Sequence, residues 1–373
     1  MKQPPASPAA TIEILRQHGL RPPKMFTFSI TGICNLVCRH CWVEADTSDA
    51  APHVPVTALR RLIGEYRELG GEGLRFTGGE PLCHPGWLEL LRFACDTGFA
   101  TIATQTNAML ITDEHVAALR ELDSPGLSLQ ISLDGASAAT HDLVRGEGAF
   151  ARALQGINRL VKGGLGRRIA IFFTEMRHNI EEIPALLELA DSMGIGSVST
   201  GSLVLCGRAD KDSLIAPPEP EQYMGLLRLY ETDSRFHDLY ERIGTTAPLE
   251  WHKGDSARTE CCTFIENPYL TPGGRLYPCL LCHADDFAVT GVHDKSLASA
   301  LAEGALLWSS LLGTSHRRAE SLSECRECPG RTNCAGGCMG RAWGSCGDLL
   351  AADDRCGLRR TIYERQEAPH SRA

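Results

Sequence analysis

The sequence predicts an α/β fold: a partial (β/α)6, TIM-like barrel followed by a cysteine-rich, loop-rich domain. Three observations carry this. Six strand-like runs alternate with helical patterns from Met25 to about residue 231. The first run leads into a cysteine loop, where a doubly wound fold would carry a glycine-rich phosphate turn. Ten of the 16 cysteines fall between Cys261 and Cys356, in a stretch with weak periodicity.

Each element has its own signal. Residues 1–24 form an arm, rich in Pro and Ala around one helical stretch from Ile12 to Gln17. Strands are predicted at 25–30, 74–78, 99–104, 127–133, 169–174 and 198–205, where β-branched and aromatic residues concentrate. Helices are predicted near 57–69, 86–97, 112–122, 149–162, 179–193 and 219–231. Their warrant is apolar spacing by three and four, as in Leu59, Leu62, Ile63, Tyr66 and Leu69. Thr57 and Thr112 are predicted N-caps; glycines at 70–71 and 163–164 are predicted stops. Repeated strand–helix units imply a parallel sheet, and a barrel of that kind gathers its active site at the C-terminal strand ends. The barrel is assigned to residues 25–235, a linker to 236–253, the cysteine-rich domain to 254–360 and a tail to 361–373.

Composition narrows the function. Apolar residues make up 43% of the 373, so disorder is excluded for most of the length. The net charge of −9 disfavours binding to a phosphate backbone, so no nucleic-acid partner is expected. No apolar run reaches the roughly 18 residues of a membrane span. MKQPPASPAA lacks the apolar core of a signal peptide. A cytoplasmic protein without a membrane partner is expected. In that compartment many clustered thiols read as metal sites rather than disulfides.

Cys34-x3-Cys38-x2-Cys41 lies just beyond the first strand. Three thiolates on one loop can hold three corners of an iron–sulfur cubane and leave the fourth iron open. Structural zinc is the alternative, but closed zinc sites use four ligands. His40 is the nearest fourth donor, yet between two converging cysteines it should point away. Further polar groups fall at later strand ends. They are Thr77 to Pro81 (TGGEP), Thr106 and Asn107, Ser132 to Gly135 (SLDG), and Cys206 to Ala209 (CGRA). Gly78 and Gly79 let backbone approach a ligand closely, and Glu80 offers a carboxylate to an amine.

On these motifs the chain resembles the radical S-adenosylmethionine (radical SAM) enzymes, over roughly residues 25–235. Trp42 stands where an aromatic residue follows the family's third cysteine, and is more often Tyr. The resemblance implies that Cys34, Cys38 and Cys41 ligate a [4Fe–4S] cluster whose open iron chelates the methionine end of SAM. It implies SAM contacts by Gly78, Gly79, Glu80 and Asn107, ribose contacts by Ser132 and Asp134, and Arg208 near the methionine carboxylate. One electron, from a donor such as flavodoxin or ferredoxin, would cleave SAM to a 5′-deoxyadenosyl radical that abstracts a substrate hydrogen. The cofactor supplies the reactivity, and the protein positions it and excludes water.

The C-terminal cysteines resemble the SPASM extension of that family, which holds two auxiliary iron–sulfur clusters. By position, Cys325, Cys328, Cys334 and Cys356 ligate the outer cluster. Cys262, Cys279 and Cys338 ligate the inner one. Its fourth ligand is expected about six residues before Cys262, at Ser256-Ala257. The remaining candidates are Cys261, Cys282 and Cys346, and otherwise the iron is open. Metal ligation would stabilise a segment too poor in apolar periodicity to build its own core.

SPASM enzymes mostly modify peptides, so oxidative modification of a ribosomally made peptide is the first expectation. Leu280 occupies the place of an Asp in sulfatase maturases, which disfavours that activity. The 24 residues before the first strand are too few for a leader-binding winged-helix domain, so a separate recognition protein is expected. The alternative is a tetrapyrrole or other small molecule. CAGGCMGRAWGSCGDLLAADDRC resembles haem-modifying members, and His18, His53, His84, His283 and His293 are candidate haem ligands. Were the outcome an epimerisation, Cys206 or Cys282 would be the hydrogen donor. A bare electron carrier is disfavoured by the complete SAM-binding set.

Overall fold

The computed structural model describes residues 7–45, 47–48, 53–212, 214–254 and 257–367. Six parallel strands follow in chain order: β1 (Met25–Thr31), β2 (Gly73–Gly78), β3 (Thr101–Thr106), β4 (Leu127–Ser132), β5 (Ile169–Glu175) and β6 (Ser197–Ser202). They form the expected α/β partial barrel. The sheet extends further at both edges. β7 (Gly244–Thr245) pairs with β6, β8 (Tyr269–Leu270) pairs with β1, and β9 (Leu276–Tyr277) pairs with β8 in the antiparallel sense. The cysteine-rich segment therefore begins as a hairpin on the first barrel strand.

Burial explains why these runs are strands. β1 is buried at six consecutive positions, as a strand covered on both faces must be. β4 and β5 alternate buried with half-buried residues, which places one row in the core and the other toward the barrel interior. Helices Val56–Glu68, Trp87–Thr97, Ala149–Lys162 and Ile183–Ser192 cover the outside with apolar faces such as Leu59, Leu62, Ile63 and Tyr66. Each fully buried side chain of this size contributes about 1.5–3 kcal/mol.

Several expectations are corrected. β3 begins two residues later than predicted, because Gly98 ends the preceding helix in the left-handed conformation at φ 78° and the strand ladder starts only at Thr101. Pro55, not Thr57, stands at the N-cap of Val56–Glu68, with Thr57 already inside the helix. Thr112 does cap its helix, in a capping box with His115. A helix at Ala138–Arg145 adds to those predicted, as do Ser234–Ile243 and Ala247–Lys253 in the segment assigned as linker. The helix Cys356–Glu367 runs past residue 360, with Ile362 and Tyr363 buried.

The helix Leu297–Ser321 is long and apolar enough to pass for a membrane span by length and composition. A count of uninterrupted apolar runs misses it. Its buried face includes Leu301, Ala305 and Trp308. It packs on Pro8–Gln17, where Thr11 Oγ1 donates to the Ala298 carbonyl at 3.3 Å. Trp308 Nε1 donates to the Phe287 carbonyl at 2.9 Å. These are the contacts of a core helix.

Candidate active site

A cavity of about 490 Å³ opens at the C-terminal strand ends. Cys34, Cys38 and Cys41 line it from the loop after β1, joined by Gly78, Gly79, Glu80, Asn107, Ser132 and Arg208. Leu280, Leu281 and Arg341 close it from the cysteine-rich segment. Two parts of the chain far apart in sequence thus share one chamber.

The loop after β1 and the end of β2 are stitched together by backbone. Gly79 N–H donates to the Thr31 carbonyl and Glu80 N–H to the Ile33 carbonyl, both at 2.8 Å. A Cβ on Gly79 would lie 2.2 Å from the Ile33 carbonyl oxygen. Gly78 adopts φ 151°, and a Cβ there would meet the Thr31 carbonyl at 2.4 Å. The two glycines are needed for this approach as well as for any ligand.

Glu80 is 1% exposed and already satisfied. Its carboxylate accepts from Thr106 Oγ1 at 2.6 Å, Asn107 N–H at 2.8 Å and Leu82 N–H at 3.1 Å. Burial nevertheless raises its pKa, against these hydrogen bonds. Asn107 donates from Nδ2 to Asn35 Oδ1 at 2.8 Å, next to Cys34. Glu80 and Asn107 thus brace the cavity wall.

Arg208 donates from Nε to the Cys38 carbonyl at 2.8 Å and from Nη1 to the Ala45 carbonyl at 3.0 Å. Its Nη2 is buried beside the cavity without a hydrogen-bond partner among the described residues. A buried cationic donor without a partner suits an anionic group such as a carboxylate. The three cysteines, the glycine cradle and this donor fit a cluster and SAM. Burial pushes the Cys34 thiol up to about 12, so an incoming iron has to displace a proton.

Asp134 stands apart from the residues gathered at the cavity. It does not line the cavity. Its Oδ1 accepts from Thr174 N–H at 2.8 Å and its Oδ2 from Arg145 Nε at 2.6 Å, fully buried. Ser132 does line the cavity. Arg145 lines the cavity but escapes sequence reasoning, because it ends a helix of only eight residues that falls between the predicted ones. His40 also lines the cavity, but its Nε2 faces Asp134 and Arg145 at 3.5 Å. Neither expected hydrogen donor lines it. Cys282 is fully buried in the apolar core, and Cys206, half-buried, lies two residues before Arg208. Nor do His18, His53, His84, His283 or His293.

A second cavity, of about 520 Å³, collects Cys261, Cys262, Cys279 and Cys338. Of the three candidates for a fourth thiol, only Cys261 lines it. Cys346 is exposed and donates to the Ala342 carbonyl at 3.0 Å. Ala257 lines the cavity too, while Ser256 lies outside the described residues. Cys325, Cys328, Cys334 and Cys356 gather separately. Burial raises the Cys325 thiol to about 11, followed by the charges of Cys334, Cys356 and Cys328. Among the described residues, no three His, Cys, Asp or Glu are arranged to hold a single metal ion.

Comparison with known proteins agrees with this geometry. Residues 28–190 match the Radical SAM superfamily. The AdoMet-dependent heme synthase of Methanosarcina barkeri (strain Fusaro) is 28% identical over 90% of this chain and 96% of its own. Mycofactocin maturase MftC of Mycobacterium ulcerans is 29% identical over 87% of this chain and 85% of its own. The solved structure of native anSMEcpe with bound AdoMet and Cp18Cys peptide superposes with a TM-score of 0.70 at 17% identity, covering 92% of this chain and 96% of that one. That likeness extends the shared fold through the cysteine-rich domain. Residues 28–190 thus carry a radical SAM domain, and over most of its length the chain is similar to the AdoMet-dependent heme synthase and to MftC.

Proposed function

We propose that this enzyme oxidatively modifies a ribosomally made peptide, using a SAM-bound [4Fe–4S] cluster and two auxiliary clusters. One observation carries the reading: three cysteines, the strand-end polar groups and the wall of the cysteine-rich domain converge on one cavity. Cys34, Cys38 and Cys41 hold the first cluster. Arg208 Nη2 receives the SAM carboxylate, the backbone at Gly78 and Gly79 lies along its amino end, Asn107 supports that wall, and Ser132 serves the ribose. When bound, the pair supplies a radical able to abstract a hydrogen atom from an unactivated carbon. The residues around it orient the substrate and exclude water.

Residues 254–360 hold the auxiliary clusters. Cys325, Cys328, Cys334 and Cys356 serve the outer, and Cys262, Cys279 and Cys338 the inner, with Cys261 as the nearest further thiol. Hydrogen return by Cys282 finds no support in its burial in the apolar core, and Cys206 is not among the residues lining the cavity, which favours an oxidative outcome over epimerisation. A separate leader-recognition protein, a flavodoxin or ferredoxin as donor, and a cytoplasmic setting belong to this reading.

The likeness to MftC, a maturase, and to anSMEcpe, solved with a bound peptide, supports a peptide substrate. The second reading, a tetrapyrrole substrate, is supported by the heme synthase matched over 96% of its length. Anaerobically reconstituted protein should hold about twelve irons, four per cluster. It should then turn over a short peptide encoded beside its gene, with loss of hydrogen seen by mass spectrometry. Turnover of an iron porphyrin, with every neighbouring peptide left unchanged, would replace the first reading by the second.

A further inference from the structure

Arg145 is a buried cation aimed at one of the three cluster cysteines. It ends the helix Ala138–Arg145, whose Val144 carbonyl accepts from Arg39 N–H at 2.9 Å, so the helix terminus abuts the cysteine loop. The side chain is 9% exposed. Its Nη1 lies 4.0 Å from Cys38 Sγ, its Nη2 3.5 Å from His40 Nε2, and its Nε donates to Asp134 Oδ2 at 2.6 Å. Asp134 is held in turn from every side. Thr174 N–H occupies Oδ1, the Asp134 N–H donates to His141 Nδ1 at 3.0 Å, and Asn179 Nδ2 donates to its carbonyl at 3.1 Å. The guanidinium is therefore held in place at the cavity wall.

We infer that the Asp134–Arg145 pair is a positioning element that sets the reduction potential of the cluster held by Cys34, Cys38 and Cys41. The inference rests on the ligand set proposed above. Reduction adds one electron, supplied by dithionite or a protein donor, and so one negative charge to the cluster. A fixed cation beside a cysteine ligand, in a site shielded from water, favours the more negative state and raises the potential. Asp134 opposes that effect from the far side of Arg145. The pair thus acts as a dipole whose positive end faces Cys38. Burial penalises the Asp134 charge, yet the adjacent Arg145 guanidinium holds the carboxyl below its usual range. Arg208 also lies near Cys38 and is kept in every variant of the test.

The test is an EPR-monitored redox titration of anaerobically reconstituted protein. Arg145→Gln leaves the Asp134 charge facing the cluster, and its midpoint should fall by at least 59 mV, a tenfold change in the one-electron equilibrium. Asp134→Asn leaves Arg145 unopposed, and its midpoint should rise. Arg145→Lys keeps the charge and should stay closer to the parent than Arg145→Gln. If a single change prevents folding, the neutral pair Asp134→Asn/Arg145→Gln removes the dipole without stranding a buried charge, and its midpoint should also fall. Loosening of the loop alone would move the two single variants in the same direction. That result, or unmoved midpoints with the cluster intact, overturns the inference and leaves the proposed function standing. If the parent protein takes up no [4Fe–4S] cluster at Cys34, Cys38 and Cys41, both fall together.

Discussion

At the scale of single residues, the structure separates side chains that meet a ligand from those that build the place where it sits. The family resemblance assigns Glu80 to the amine of SAM, and three acceptor positions of its carboxylate already serve Thr106, Asn107 and Leu82. Glu80→Gln would put an amide N–H against one of these donors. Unfolding stability and SAM affinity should then fall together, each by about 1.5–3 kcal/mol, as when a hydrogen bond to a charged group is broken. Denaturation and equilibrium SAM binding on the same preparation check this. Lost affinity with stability unchanged would return Glu80 to direct contact with the ligand. The motif is legible because Gly-Gly-Glu-Pro is a local word. The braces are not, because Thr106 and Asn107 lie a whole strand–helix unit away. Asp134 shows the same limit: its position can be read in the sequence, but its partner Arg145 ends a helix of only eight residues, too short to announce itself.

At the scale of elements, the strand runs are legible wherever burial on both faces demands β-branched and aromatic residues, as in MFTFSI and IAIFFT. The β8–β9 hairpin escapes notice because each strand has only two residues, and its value lies in docking on β1 rather than in its own pattern. The joint between β1, its cysteine loop and β2 is the element on which the site depends. Gly79→Ala forces a Cβ against the Ile33 carbonyl, one residue before Cys34. Backbone cannot give way as a flexible side chain would, so about 1–3 kcal/mol of stability should be lost. Iron bound by the first cluster should fall while the auxiliary clusters are retained. Iron analysis with EPR of the reduced protein separates these populations. Full iron occupancy would show that the loop can shift without cost.

At the scale of the whole molecule, the two regions distinguished by composition are joined through buried charge. Glu175, at the end of β5, is fully buried. It accepts from Thr200 Oγ1 at 2.5 Å, Ser202 Oγ at 3.2 Å, Tyr223 OH at 2.7 Å and Arg355 Nη2 at 3.0 Å. Arg355 precedes Cys356. Two residues earlier, Asp353 accepts from Cys338 N–H at 2.6 Å and from Arg359 Nη2 at 2.5 Å. Within four residues the chain thus links a barrel strand to Cys338 and Cys356. Arg341 adds a second tie, donating to the Leu203 carbonyl at 2.7 Å while paired with Asp354. No local pattern announces such links, because each partner is ordinary in its own segment. Glu175→Gln strands the Arg355 guanidinium in a dry site and should destabilise the protein by about 3–5 kcal/mol. Pairing it with Arg355→Met removes the stranded charge and should recover part of that loss, so the two changes are not additive. Anaerobic denaturation should show one transition, shifted as a unit, because barrel and cysteine-rich domain share this buried network. Two transitions, with the barrel's unmoved by Glu175→Gln, would mean that the domains unfold independently and that the network joins them without coupling their stability.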